Sequence, residues 1–349
     1  MFKNKIYNNG YEQKRMGENK MKKVFLGLGL VITIIIMCTL TGCSNNKEKV
    51  VIYTSMEEER NQELKKQVEE KFPDIDVVIQ YMATGNSSAK LKTEGTNIEA
   101  DIILDLETAY MTSLEENFAN LSEFDSSMYI DGVVKSENYF PWIKYTMALI
   151  IDKDYFEEHN LETPKTYEDL LKPEYKDLIA MPDPKTSGTG YAFFLNAVNI
   201  MGEEKAVEYF KALKENLREF TTSGSGPTNL LKQGEIAIAL GMTSQGAQAI
   251  TEGYNFEIIS LETGAPYNTT SYGIIKGRET DENVKKVFEW LSTEFNRYDK
   301  ENFMPDVILK DQKNNVKNYP TDFVEANMEG IDSIETKNKL IEKWGEVNG

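Results

Sequence analysis

Short apolar runs along this chain alternate regularly with amphipathic stretches. Val50-Val51-Ile52-Tyr53 is a compact apolar run that predicts a buried strand ending at Thr54-Ser55. Over residues 57–72, Leu64, Val68 and Phe72 recur at i, i+4 and i+8. Acidic residues fill the first turn of that stretch and Pro73 closes it, which predicts a helix. Residues 75–81 predict a second strand, Thr84-Gly85-Asn86-Ser87-Ser88 a helix start running to Glu94, and Ile102-Ile103-Leu104 a third strand. Strand, helix, strand, helix, strand implies right-handed crossovers and a mainly parallel sheet.

The same alternation continues downstream. Strands are predicted at 147–151, 178–181, 236–240, 256–261 and 272–275. Capping residues at 163–171 precede a short helix. Lys185-Thr186-Ser187-Gly188-Thr189-Gly190 leads into an apolar helix over 191–200, followed by helices at 203–216 and 243–252. Ser223-Gly224-Ser225-Gly226-Pro227-Thr228 opens another, with Pro227 suited to a first helical turn. The tail from Asp281 reads as amphipathic helices, with Val284, Val287, Phe288 and Leu291 on one face. No internal repeat or low-complexity segment interrupts the pattern.

The beginning of the chain has a different character. Lys22 and Lys23 precede an apolar core over residues 24–37, and small residues lead to Leu40-Thr41-Gly42-Cys43. That order marks an export signal, although residues 24–42 could almost span a bilayer core of about 30 Å as a plain anchor. The ending resembles the bacterial lipobox, which implies that Cys43 is diacylated and becomes the mature N-terminus. Residues 1–20 then read as an upstream extension with Met21 the start, residues 21–42 as the signal peptide and 43–49 as a lipidated polar tether. The expected location is the outer face of the cell membrane.

Charge and cysteine content narrow the chemistry. Residues 44–349 carry 32 Lys and Arg against 55 Asp and Glu, a net charge of −23. Such a surface repels nucleic acid and anionic headgroups, so neither is an expected partner. About 300 residues exceed what one core usually serves, so two lobes are expected. Cys38 leaves with the signal and Cys43 is the anchor, leaving no disulfide, thiolate metal site or cysteine nucleophile. The one histidine, His159, lies in a polar helix end, which argues against a Ser-His-Asp triad or a common zinc site. No cofactor, metal or catalytic residue is expected. Ser87-Ser88-Ala89-Lys90 fits the S-x-x-K acyl-transfer signature but lacks its partner motifs, so a serine hydrolase using Ser87 and Lys90 stands only as a contrasting reading.

Small polar residues recur where strands end and helices begin. They are Ser55; Thr84, Asn86 and Ser87; Ser187, Gly188 and Thr189; and Ser223, Ser225 and Thr228. In a parallel α/β sheet the carboxyl ends of strands face one crevice, and helix N-termini there favour anions.

Several stretches together resemble the extracytoplasmic solute-binding proteins of ABC importers, in the ferric-ion, phosphonate and sugar-phosphate branch. They are residues 50–55, Ala100-Asp101-Ile102-Ile103, residues 166–176, 182–190 and 233–238. The resemblance implies the type 2 periplasmic-binding-protein fold: two α/β lobes, each a mainly parallel sheet flanked by helices, with the ligand between them. The expected lobes are 50–145 with 262–300, and 146–261, crossing near 145–149 and 261–272, with C-terminal helices over 301–349 packed on them. Iron-binding members carry adjacent tyrosines where this chain has Thr243-Ser244-Gln245, so Ser244 and Gln245 are expected ligand contacts of another kind. Tyr145 and Tyr272 are further cleft candidates, and Glu107, after the third strand, reads either as a solvated loop carboxylate or as a holder of an amine or a sugar hydroxyl. The implied role is capture of a small anionic solute, a phosphonate or sugar phosphate, by a monomer that delivers it to permease subunits. Ferric ion with a bound anion is the alternative.

Overall fold

The computed structural model describes residues 48–348. Nine strands follow in chain order: β1 Glu48–Thr54, β2 Ile75–Tyr81, β3 Ile102–Glu107, β4 Phe140–Asp152, β5 Ile179–Pro182, β6 Leu217–Thr221, β7 Ile238–Met242, β8 Phe256–Ile259 and β9 Tyr267–Ile274. Helices alternate with them: α1 Glu58–Lys71, α2 Thr84–Glu94, α3 Thr108–Ser113, α4 Lys153–His159, α5 Gly188–Met201, α6 Glu203–Leu213, α7 Gly226–Lys232 and α8 Thr243–Glu252. Three helices follow the last strand: α9 Glu282–Trp290, α10 Asn296–Asn302 and α11 Ile334–Asn348.

The strand order β2-β1-β3-β9-β4-β7-β5-β6 describes one curled sheet that serves two lobes, with β8 paired to β4. In the first lobe β2, β1 and β3 are parallel, and β9 returns antiparallel beside β3. In the second, β6, β5 and β7 are parallel, β4 runs against them, and β8 pairs antiparallel with β4. Apolar runs such as Val50 to Tyr53 and Ile102 to Leu104 are buried on both faces, as a helix-covered parallel sheet requires.

Strand β4 belongs to both lobes. Its first half pairs with β9 as far as Thr146 opposite Tyr267; from Met147 it pairs with β7. Antiparallel pairing on both sides gives this strand the continuous ladder on which the two lobes are hung.

Helix ends follow local chemistry. Asp281 accepts the N–H groups of Asn283 and Val284 at 2.8 and 3.2 Å, capping α9, whose Val284, Val287 and Phe288 are buried. The tail departs from the expected run of helices. After α10 the chain is irregular until α11 begins at Ile334. Pro305, Pro320 and the polar stretch at 310–318 remove the helical period there. α11 packs mainly on α6, and Trp344 meets the rings of Phe194, Phe210 and Phe220 with centroids 5.0, 5.3 and 5.3 Å away.

Candidate functional site

A cleft opens between the lobes at the carboxyl ends of β1, β3 and β5. Its deep part is a cavity of about 60 Å³ lined by Ser55, Thr84, Glu107, Tyr145, Ser187, Gly188, Thr189 and Ser223, with Glu57, Tyr81, Asp105 and Thr270 among the others. The mouth is wider, about 640 Å³, and adds Asn86 and Ser225. The lobes touch at the lip: a Cβ on Gly85 would stand 3.0 Å from the carbonyl oxygen of Lys185.

Two helices from opposite lobes aim their N-termini into this space. α2 starts after Ala83 and α5 after Ser187, and neither cap residue's side chain bonds the helix. Their first N–H groups are therefore left to the cleft, each helix adding partial positive charge. Ser187 and Thr189 are nearly fully buried and line the same cavity.

Glu107, at the end of β3, forms the floor and is 2% exposed. Its Oε2 accepts from Lys337 Nζ at 2.6 Å and from Asn268 Nδ2 at 3.0 Å, whereas Oε1 has no protein partner among the described residues. Asn268 stands opposite Tyr145 in the β4–β9 register and also donates to the Gly188 carbonyl at 3.3 Å. A Cβ on Gly188 would lie 2.8 Å from Tyr145 Oη and 2.9 Å from Asn268 Nδ2 and Glu107 Cδ. Only glycine lets the start of α5 seat against this floor.

Lys337 arrives from α11 and is 1% exposed. Its ammonium lies 3.7 Å from the Tyr191 ring centre and 5.0 Å from that of Tyr110. Burial pushes the ammonium below the usual lysine value, against the pull of Glu107.

A second buried charge network stands beside the floor. Arg60 grips Asp299 with two bonds of 2.7 and 2.8 Å and reaches Glu57 at 2.9 Å and Asp105 at 3.3 Å. Lys300 bonds Asp299 at 2.7 Å and lies 3.8 Å from the centre of the Trp142 ring. Asp105 sits at a left-handed φ of 63° and accepts from Thr270 Oγ1. Burial pushes its carboxyl up to about 7, with Arg60 opposing. The cleft thus combines helix N-termini and hydroxyl groups with three carboxylates, Glu57, Asp105 and Glu107.

Other candidates fall outside the deep cavity. Tyr272 is fully buried in the first lobe, its Oη 3.1 Å from that of Tyr129 and its ring against Trp142 and Phe288. It shares a face of β9 with Asn268 and Thr270 but lies one pleat deeper, about 7 Å along the strand from Thr270. Ser87 is buried on α2 and lines none of these cavities, while Lys90 is paired with Glu94 at 2.5 Å. Ser244 and Gln245 face a separate cavity of about 240 Å³ beside Arg60, Met304 and Lys317. Thr228 borders a groove with Glu58 and Lys232. Cys43 and the export signal lie outside the described residues. Among the described residues no helix is long and apolar enough to cross a membrane, and no three His, Cys, Asp or Glu gather closely enough to hold a metal ion.

Sequence reasoning missed Glu57, Asp105, Asn268, Thr270 and Lys337. Asp105 had left a trace as a charge inside Leu104-Asp105-Leu106, an otherwise apolar strand. Lys337, some 230 residues away from Glu107, had left none.

Comparisons with known proteins agree with this architecture. Residues 53–296 match the bacterial extracellular solute-binding protein family. A Haemophilus influenzae protein is 24% identical over 323 residues, covering 87% of this chain and 92% of its own. A thiamine-binding periplasmic protein of Brucella abortus is 24% identical over 224 residues, 62% of this chain and 66% of its own. The periplasmic binding protein AfuA of Actinobacillus pleuropneumoniae, solved with fructose-6-phosphate, superposes with a TM-score of 0.74 at 21% identity, covering 87% and 99% of the two chains. The apo ferric ion-binding protein A of Pasteurella haemolytica gives 0.68 at 19%, covering 86% and 98%. The three with descriptive names are named as binding proteins. This chain belongs to the bacterial extracellular solute-binding proteins, the substrate-capturing subunits of ABC importers.

Proposed function

We propose that the protein captures a small solute carrying a phosphoryl or phosphonyl group, held between α2 and α5. The carrying observation is the convergence of two uncapped helix N-termini from opposite lobes beside Ser187, Thr189 and Ser223. An anion bound there touches both lobes, so its binding energy favours their closure. The fructose-6-phosphate complex of AfuA, similar in fold, supports the choice. Ferric ion is less well supported: Tyr272 is withdrawn into the core and Ser244 and Gln245 face another cavity.

A second reading has its own observation. Glu57, Asp105 and Glu107, with Tyr81 and Tyr145, would suit an organic cation, and a relative is named for thiamine. Calorimetry with phosphate, phosphate monoesters, alkylphosphonates, thiamine and ferric citrate separates the readings. Micromolar binding of at least one phosphorus compound is expected; tight thiamine or ferric binding with none of the phosphorus compounds bound would sink the phosphoryl reading.

Membrane attachment through lipid on Cys43 and delivery to a permease complete the proposal. Replacing Cys43 by alanine is expected to release the protein into the medium, read by immunoblot of cells and supernatant. Retention on the cell would speak for a plain transmembrane anchor.

A further inference from the structure

The floor of the cleft carries a requirement that a bare phosphoryl anion does not meet. Glu107 lines the cavity with a side chain that is almost completely buried, and its Oε1 has no donor among the described residues. A buried acceptor left without a donor is costly. The other oxygen is fully used by Lys337 and Asn268. We propose that Glu107 Oε1 accepts a hydrogen bond from a hydroxyl or ammonium group on the solute, and that Lys337 is the positioning residue that holds the carboxylate for it.

This rests on the phosphoryl reading and narrows it to phosphorus compounds that also carry a donor. The spacing fits. Glu107 Cδ stands 2.9 Å from where a Cβ of Gly188 would be, at the first residue of α5, and the Glu107 N–H reaches Thr84 Oγ1, at the first residue of α2, at 3.4 Å. Anion and donor therefore sit a few bonds apart on the same small molecule, in agreement with a deep cavity of about 60 Å³.

Lys337 is suited to its part because nothing else competes for it. Its ammonium is enclosed by the Tyr110 and Tyr191 rings, one from each lobe, and Glu107 is its only anionic partner among the described residues. It also offsets the carboxylate's charge, which would otherwise oppose an anion at the neighbouring helix ends.

The test is calorimetry on the mature protein with a matched series: ethyl phosphate, 2-hydroxyethyl phosphate and 2-aminoethyl phosphate. At least one donor-bearing ester is expected to bind about tenfold or more tightly than ethyl phosphate, as one hydrogen bond to a charged acceptor implies. The tighter of the two identifies the donor. Glu107→Gln is expected to remove most of that preference, and Lys337→Met to do the same, weakening the donor-bearing esters more than ethyl phosphate. Lys337→Arg, which keeps the cation, should recover part of the preference. A merely structural Lys337 would lower the Tm and weaken all three esters alike. Equal binding of the three by the wild type would overturn the subsite and leave the phosphoryl reading standing. Binding of none of them, nor of inorganic phosphate, would overturn both. Should Lys337→Met not fold, the wild-type series and Glu107→Gln still decide.

Discussion

Gly188 and Asp105 show how much of the cleft depends on single positions. At Gly188 an added methyl group would collide with Tyr145, Asn268 and Glu107 at once, at 2.8 to 2.9 Å. Gly188→Ala is therefore expected to weaken solute binding by at least tenfold while lowering stability by only about 1–3 kcal/mol, since the start of α5 can shift away. Calorimetry and urea unfolding of the variant check the two halves. Asp105 contributes a pH dependence. Its native carboxyl titrates near 7, whereas an unfolded aspartate titrates near 4. Between those values the native state holds the extra proton, so this group's contribution to stability is greatest below about pH 4 and is lost as pH rises to 7. Asn at this position suits the left-handed backbone and cannot ionise. The Tm of Asp105→Asn, relative to wild type, should rise steadily from pH 4.5 to 7.5. A constant difference across that range would contradict the assignment.

At the scale of elements, two remote attachments hold the site in shape. Arg60 and Asp299 tie α1 to α10 through a buried bidentate pair, and Asp299 also serves Lys300. Removing the shared carboxylate takes the carboxylate from Lys300 and leaves Arg60 with only Glu57 and Asp105. Asp299→Ala is expected to cost about 3–5 kcal/mol in chemical denaturation. Trp344 anchors α11 among three phenylalanines, and Trp344→Ala should cost a similar ~3–5 kcal/mol by opening a cavity there. These elements were unequally legible in the sequence. The parallel strands and α1 announced themselves because burial on both faces, or on one stripe, writes a hydrophobic period. β9 did not: Asn268, Thr270 and Ser271 are buried but polar, paired by hydrogen bonds across the cleft wall, so only its apolar end at 272–274 was visible. Reading Tyr272 as a cleft residue followed from that, since the strand's start had been placed five residues late. Lys337 was illegible for another reason. Its neighbours in sequence describe an ordinary charged helix, and its partner is set only by tertiary folding.

Across the whole molecule, charge and shape oppose each other. The chain is strongly acidic, and Glu57, Glu58 and Glu59 stand in sequence around the cleft and its neighbouring grooves. The proposed dianionic solute would thus be repelled on approach and attracted only at the helix ends within. Raising NaCl from about 20 to 150 mM screens the approach over about a Debye length and is expected to increase the association rate. Stopped-flow binding at a series of salt concentrations checks this; a rate that falls with salt would mean the cleft steers anions after all.

The placement of Lys337 also has a consequence for biosynthesis. A chain emerging N-terminus first can lay down all nine strands before α11 appears, yet the floor of its cleft then lacks its ammonium. Glu107 at that stage is an uncompensated carboxylate beside the two helix ends meant for an anion. A partly exported chain would therefore be a poor trap for solute, and binding competence would arrive with one of the last segments to cross. With the proposed anion as solute, the arrangement would separate the act of being secreted from the act of loading, without any additional factor to keep them apart.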